Sequence, residues 1–325
     1  MSKLTFPVLQ HLADGDFHSG EALAQHFNVT RATIFNAITH AQSLGVEVFS
    51  VRGRGYKLPK PITLLNATDA LQAIGIEREW FDLQILDEVG STNTYLMQRA
   101  AKGAAHATCV VAHIQTQGKG RRGRTWVSKL GASLTFSLLW RFQCGAVALS
   151  GLSLAVGVAL IRAMHDLGVQ GVQLKWPNDV LVDGKKLAGI LIELQGDMEG
   201  PSAAVIGVGI NLNLPKEVLK NIDQPAVDLS SVHHQPINQS VLLGTLLKHF
   251  SNVLKDFEQQ GFVAVREEWL SYDAYQNKTV RMLMPNGTEV LGVAESVAED
   301  GILMVKTALG LQRFSAGEIS LRGVN

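Results

Sequence analysis

Cysteine is nearly absent: Cys109 and Cys144 are the only two in 325 residues. Two thiols build no disulfide framework, which excludes a small stapled secreted scaffold and favours a reducing cytoplasm. Net charge is also absent, with 29 Lys and Arg against 29 Asp and Glu. A chain without a basic surplus is not a general nucleic-acid coat, although a local basic site remains compatible with it. The N-terminus, Met1-Ser2-Lys3-Leu4-Thr5-Phe6-Pro7, lacks the apolar core of a signal peptide. The most apolar helix candidate, 148–167, carries Ser150, Ser153, Arg162, His165 and Asp166, so it reads as a core helix and no membrane span is expected. No resident metal site is expected either. What remains is an ordinary globular composition, 46% hydrophobic, long enough for two or three domains.

Against this plain background one stretch stands out, Gln115-Thr116-Gln117-Gly118-Lys119-Gly120-Arg121-Arg122-Gly123-Arg124-Thr125-Trp126. It lies between two apolar β-branched runs, 107–114 and 133–140, that read as buried strands. Glycine lets backbone N–H groups approach a ligand, and the cations add charge for a carboxylate or phosphate. Alone, the composition suits a solvated loop or a nucleic-acid patch equally well. It is not a P-loop, because Arg124-Thr125 follows Gly123 and no helical pattern comes next.

Residues 1–58 read as a separate small module. Leu4, Val8, Leu9 and Leu12 have helical spacing, and Ser19-Gly20-Glu21 opens a second helix. After the turn Asn28-Val29, Thr30 is placed to cap a third helix from Arg31 to about Ser43, with Ile34, Ile38 and Ala41 inward. Strands at 46–51 and 55–58 flank Arg52-Gly53-Arg54. The pattern is a winged helix-turn-helix, with helix 31–43 facing the major groove and the wing facing phosphates. Arg31, Thr33, Asn36, Arg52 and Arg54 are the candidate DNA contacts. That helix offers only Arg31 and His40 as possible cations, so a winged helix used for protein contacts stays open as the alternative.

Lys57-Leu58-Pro59-Lys60-Pro61 is a stiffened boundary. Beyond it, Asn66 opens a helix, 83–89 is a strand, and Gly90-Ser91-Thr92-Asn93 leads into a helix from Thr94. A polar tripeptide at such a junction can offer hydroxyls, an amide and free N–H groups to a small ligand, or can simply cap the helix. Further on, a Trp176-Pro177-Asn178-Asp179 corner interrupts a strand, and Asp183-Gly184 makes a hairpin turn. The run 203–213 is another apolar strand, ending in Asn211. Residues 215–238, polar and Pro-containing, read as a mobile loop, followed by helices at about 239–260 and 262–271. From 278, short strands with turns at 285–287 and 299–301 suggest a small all-β module.

In combination these motifs resemble the biotin–protein ligases, specifically the bacterial kind that doubles as repressor of biotin synthesis. Ser91-Thr92-Asn93 matches the family's biotin segment. Gly118-Lys119-Gly120-Arg121-Arg122-Gly123 matches its Gly-Arg-rich loop, with Lys119 replacing an arginine. The runs 175–179 and 186–193 and the triplet Gly209-Ile210-Asn211 match three more blocks.

The resemblance implies an α+β chain in three parts: a winged helix-turn-helix at 1–62, a class II synthetase-like catalytic domain with a mixed sheet at 63–273, and an SH3-like barrel at 274–325. It implies that biotin and Mg-ATP form biotinyl-5′-adenylate, and that a lysine of the biotin carboxyl carrier protein then takes the biotinyl group. It further implies operator DNA as partner and a homodimer promoted by the adenylate. Arg121 and Lys186 take the catalytic role. Ser91, Thr92, Asn93, Gln115, Lys119, Gly120, Arg121 and Lys186 would hold biotin, and Gly118, Lys119, Arg121, Trp126, Asn178 and Asn211 would hold the adenylate. A Gly-rich loop of high entropy would order over that adenylate. A lipoate-type acyl ligase and a ligand-sensing repressor without ligase activity are the other two classes open to this sequence.

Overall fold

Thr30 turns the chain into its third helix by accepting the Thr33 N–H on its hydroxyl, and Ser19 does the same for Ala22. These caps, with apolar residues at helical spacing, set α1 (Thr5–His11), α2 (Gly20–His26) and α3 (Arg31–Ser43) around a core of Val8, Leu9, Leu12, Leu23, Ile34 and Ile38. The wing is a hairpin of β1 (Phe49–Val51) and β2 (Gly55–Lys57), pairing Phe49 with Lys57 and Val51 with Gly55. Its first strand starts at Phe49, three residues later than the apolar pattern from Val46 suggests, because Val46 and Val48 turn inward onto the helices while Phe49 faces solvent. The structure is a computed structural model that describes residues 4–59, 62–196, 200–222, 224–233, 235–284, 286–316 and 320–323.

The middle of the chain forms α4 (Ala67–Ile74), β3 (Asp82–Val89), α5 (Thr92–Ala101), β4 (Thr108–Gln115), β5 (Ser133–Phe142), α6 (Leu152–Asp166), β6 (Val172–Lys175), β7 (Asp179–Val182), β8 (Lys185–Gly196), β9 (Ser202–Asn211), α7 (Lys216–Asn221), α8 (Leu229–Val232), α9 (Gln239–Gln260) and α10 (Arg266–Ser271). Its seven strands run in the order β3-β4-β5-β9-β8-β7-β6, with β3 and β4 parallel and every other pair antiparallel. Side chains alternate across the sheet. Cys109, Val111, Phe136, Leu138, Ala204 and Ile206 face a large core covered by α4, α6 and α9, while Val110, Leu139, Ala203 and Val205 face α5. Helix α6 is the apolar core helix expected from its sequence, with eleven of its fifteen residues buried.

Three expectations need correction. The Trp-Pro-Asn-Asp corner, expected to interrupt one strand, separates two: it is the turn of an antiparallel hairpin between β6 and β7. The helix expected at 262–271 begins at Arg266, after a tighter turn at Gly261–Val265. The expected mobile loop at 215–238 contains α7 and α8 and is anchored by buried Asp228. The Asp228 carboxylate accepts from Leu214 N–H at 2.8 Å and Ser231 N–H at 2.9 Å. Asp223 and His234 within that stretch lie outside the described residues.

The C-terminal module contains β10 (Thr279–Leu283), β11 (Glu289–Val297), β12 (Leu303–Thr307), β13 (Gly310–Phe314) and β14 (Ser320–Gly323), an antiparallel sheet in the order β13-β12-β11-β10-β14. It is fused to its neighbour. Val280, Met282, Val297, Leu303 and Val305 belong to the same apolar cluster as Trp176 and Trp269, and the Trp176 indole N–H donates to Gly301 O at 3.1 Å. The winged helix keeps its own core and touches the middle of the chain more thinly. Phe6 stacks on His113 with ring centroids 5.3 Å apart, His40 lies 3.6 Å from Glu88, and Leu130 packs on the helix core.

Candidate active site

Helix α5 packs on the face of the sheet that carries Val110, Leu139, Ala203 and Val205. Where it begins, Gly207 and Gly209 of β9 and Gly189 of β8 leave the sheet bare. Register places them in two rows, Ser137–Gly207–Leu191 and Thr135–Gly209–Gly189. A glycine inside a strand marks a close approach, and both rows show it. A Cβ on Gly207 would lie 2.1 Å from Asn93 Oδ1, and one on Gly209 would lie 2.3 Å from the Trp126 ring. The period-two spacing of Gly207 and Gly209 was legible in the sequence, but the partners that need it were not.

Onto this floor α5 directs its N-terminal turn, the positive end of the helix. Ser91 caps it, and Ser91, Thr92 and Asn93 are all buried. The Thr92 N–H donates to Gln115 Oε1 at 2.7 Å. Ser137 Oγ lies 2.7 Å from Thr92 Oγ1 and 2.6 Å from Asn93 Oδ1. The Asn93 amide donates to Leu191 O and, at 2.9 Å, to Glu193. Because an amide oxygen only accepts, Ser137 gives its proton to Asn93. Asn93 is thus committed to the protein on both sides, and the Thr92 hydroxyl also reaches Gln115 Oε1 at 3.1 Å; Ser91, Thr92, Asn93 and Gln115 together line a narrow cavity of about 50 Å³.

The Gly-rich segment is folded rather than loose. Trp126 N–H donates to Gly118 O at 2.9 Å and Gly120 N–H to Arg124 O at 2.7 Å, with a tight turn at Arg121–Gly123 between them. Gly118 is the position with no room, since a Cβ there would lie 2.4 Å from Trp126 O. At Gly120 the nearest atom would be 3.4 Å away, so that glycine is not sterically required. The Trp126 ring lies over Gly209 and Gly189, 5.7 Å from Lys186 Nζ, and its buried indole N–H has no hydrogen-bond partner.

Beyond Trp126 opens a larger cavity of about 390 Å³. Lys186 forms a 2.6 Å ion pair with Asp179 in its wall. Arg121 donates to Asn178 Oδ1 at 3.0 Å and to the carbonyl of Ala316, reaching the C-terminal module. Asn178 in turn donates to Ile190 O at 2.8 Å. Asn211 donates to the carbonyls of Lys186 and Val227, so it holds the segment before α8 against the cavity. Lys119 is exposed at the mouth of the narrow cavity, and Gly120 lines both. Sequence reasoning missed Lys175 and Arg322, which line the larger cavity, and Ser137, Glu193 and the glycine floor, which shape the narrow one. Burial pulls the Lys175 ammonium down to about 8, with Arg322, Lys186 and Arg124 adding to the depression and Asp179 opposing it.

The two cavities share Gly120, Arg121, Trp126, Asn178 and Lys186. A narrow polar slot therefore opens through two cations into a wider, cation-rich chamber. Among the described residues no group of three His, Cys, Asp or Glu gathers as a metal cage. In the winged helix, Arg31, Asn36, Arg52 and Arg54 are exposed and Thr33 half-buried, with Arg54 stacked 4.4 Å over the Phe17 ring.

Comparison with known proteins agrees with this arrangement. The biotin/lipoate A/B protein ligase family matches residues 86–211, a helix-turn-helix domain matches 6–57, and the biotin protein ligase C-terminal domain matches 276–322. The bifunctional ligase/repressor BirA of Escherichia coli (strain K12) is 34% identical over 311 residues, 96% of this chain and 95% of its own length. BirA of Bacillus subtilis (strain 168) is 28% identical over 95% of each chain. A biotin protein ligase from Aquifex aeolicus, solved in complex with biotin and ATP, superposes with a TM-score of 0.64 at 30% identity and covers 75% of this chain and 99% of its own. Fold and site define a ligase carrying an appended helix-turn-helix module. The chain belongs to the biotin–protein ligase family, alongside its bifunctional ligase/repressor members.

Proposed function

We propose that this chain is an ATP-dependent biotin–protein ligase that also represses transcription, with biotinyl-5′-adenylate as product of the first function and corepressor of the second. The observation that carries the reading is the junction of the two cavities at Arg121 and Lys186. Biotin's bicyclic head fits the narrow slot, where Ser91, Thr92 and Gln115 offer hydrogen bonds to the ureido group and Asn93 holds their segment in place. The carboxylate then points at the shared cations, with Lys119 and the Gly120 backbone on the same side. Mg-ATP, the metal arriving with its phosphates as substrate, occupies the larger chamber, where Gly118, Trp126, Asn178 and Asn211 shape the walls.

A carboxylate oxygen attacks the α-phosphorus while the bond to the pyrophosphate oxygen breaks and pyrophosphate leaves. Two anions must meet, so cations that neutralise both supply most of the catalysis. Lys186 is held at the junction by Asp179, and Arg121 by Asn178. In the second step the carrier lysine's amine attacks the acyl carbon, AMP departs with the bonding electrons, and the amine loses its proton.

We assign the three parts to 1–62, 63–273 and 274–325, read the central sheet as class II synthetase-like and the C-terminal sheet as an SH3-like barrel, and place the protein in the cytoplasm. Operator DNA and the carrier protein are its partners, and the adenylate promotes a homodimer. The test is pyrophosphate release with ATP and either biotin or lipoate, followed by the mass of an added carrier protein. Release with biotin only, and a carrier heavier by one biotinyl group, is the expected result. Release with lipoate, or with neither acid, overturns the reading.

A further inference from the structure

The solvent face of α3 carries a largely exposed aromatic ring. Ile34, Ala37, Ile38 and Ala41 turn inward, and Ala32, Phe35, Asn36 and Thr39 turn outward, with Phe35 60% exposed. Phe35 sits one turn after Arg31, in the half of the helix that a helix-turn-helix presents to base edges. Its polar neighbours are partly committed. The Thr30 and Thr33 hydroxyls lie 2.9 Å apart at the cap, and the Thr39 hydroxyl donates to Phe35 O at 2.9 Å. Arg31 is the one Lys or Arg on this helix. Few phosphate contacts are therefore available from α3, and what this face can read is the apolar part of the major groove.

We infer that Phe35 packs on thymine C5-methyl groups, so that each half-site carries an A·T pair under the second turn of α3. The thymine methyl is the one apolar feature of the major-groove edge, and the adjacent Asn36 has the donor and acceptor that match adenine N6 and N7. The occupant is DNA because the ring lies on the second helix of a matched helix-turn-helix, one turn after Arg31, in a module whose wing residues Arg52 and Arg54 are also exposed. The inference rests on the repressor reading above.

The experiment selects duplexes from a random library with the full chain, biotin and ATP, then replaces each thymine of the selected sequence by deoxyuridine, which removes only the methyl. Wild type should lose about fourfold in affinity at one or two thymines, the effect of removing one methyl-sized apolar contact. Phe35→Ala should lose at least as much on the thymine duplex and nothing further on the deoxyuridine duplex. Phe35→Leu should recover part of the thymine preference, and pyrophosphate release should be unchanged in both variants. Indifference of wild type to every thymine methyl overturns this inference alone, as do additive losses in Phe35→Ala. Failure of wild type to select any sequence overturns the repressor reading and this inference with it.

Discussion

Around Asp179 the larger cavity gathers Lys175, Lys186, Arg121 and Arg322, whereas the recognition helix has Arg31 as its one Lys or Arg. The two surfaces also differ in support. The cavity stands on a seven-stranded sheet that shares one apolar core with the C-terminal module, while the winged helix has a core of its own and a thin contact with the rest. A preorganised, half-buried set of cations acts strongly on one small anion. An exposed helix with one Lys or Arg makes few phosphate contacts, so its salt dependence per monomer should be shallow, and the proposed homodimer would raise occupancy by holding two modules together. On the proposed function, ligand chemistry is concentrated in one half of the molecule and DNA affinity is left for assembly to supply.

The sharpest way to break this contrast is Lys186→Ala. Losing one preorganised contact at the carboxylate–phosphate junction should slow adenylate formation about a hundredfold, read as pyrophosphate release in a single turnover. A near-normal rate would show that the cavity's charge is not aimed at the reaction. Next in size is Gly207→Ala, whose Cβ would meet Asn93 and disturb the Ser137–Asn93–Glu193 chain. Biotin binding should weaken about thirtyfold, the scale of one disrupted buried hydrogen bond, while ATP binding by calorimetry should hold. Equal loss of both ligands would mean that the two cavities are not separate sites.

Lys175 gives the cavity a pH signature. Its ammonium is depressed to about 8, and a bound phosphate chain raises it again, so the charge is present in the complex but is lost from the free protein above pH 8. Affinity for pyrophosphate should accordingly fall about tenfold between pH 7 and pH 9, and Lys175→Met should flatten that profile. A profile unchanged by the substitution would remove Lys175 from the anion site.

The seam between the two halves, where β4 meets the winged helix, has its own titration. Burial pulls His113, stacked under Phe6, down to about 4. With a depressed native value the neutral form stabilises the fold above the ordinary value of 6.5, and that contribution is lost as pH falls toward 4. Thermal unfolding should show about 3 kcal/mol less stability at pH 4 than at pH 7 from this group, and His113→Phe should remove most of the difference with little effect on ligase turnover. An identical acid sensitivity in the variant would place its origin elsewhere.

What was legible in the sequence was local. Helix α3 starts at the Thr30 cap and spans the residues its apolar spacing marks, while Ser91–Asn93 read from their position as either a polar tripeptide for a ligand or a plain cap, and Gln115 entered only through the resemblance. What was hidden depends on partners far along the chain. Residues 215–238 looked unstructured because their order comes from Asp228 reaching Leu214 and from Asn211 reaching Val227. Ser137 is an unremarkable serine until register sets it beside Gly207 and under Asn93. Lys175 acquires its burial and its cationic neighbours from the fold, Arg322 of the last strand among them.

One measurement addresses the division between a strong ligand site and a weak DNA-reading helix. Fluorescence anisotropy of a labelled, selected duplex is followed while the full chain is titrated with no ligand, biotin alone, ATP alone, or both. The account predicts specific binding only with both present, together with a shift of the free protein from monomer to dimer over the same concentration range. Tight specific binding by the ligand-free chain would contradict it.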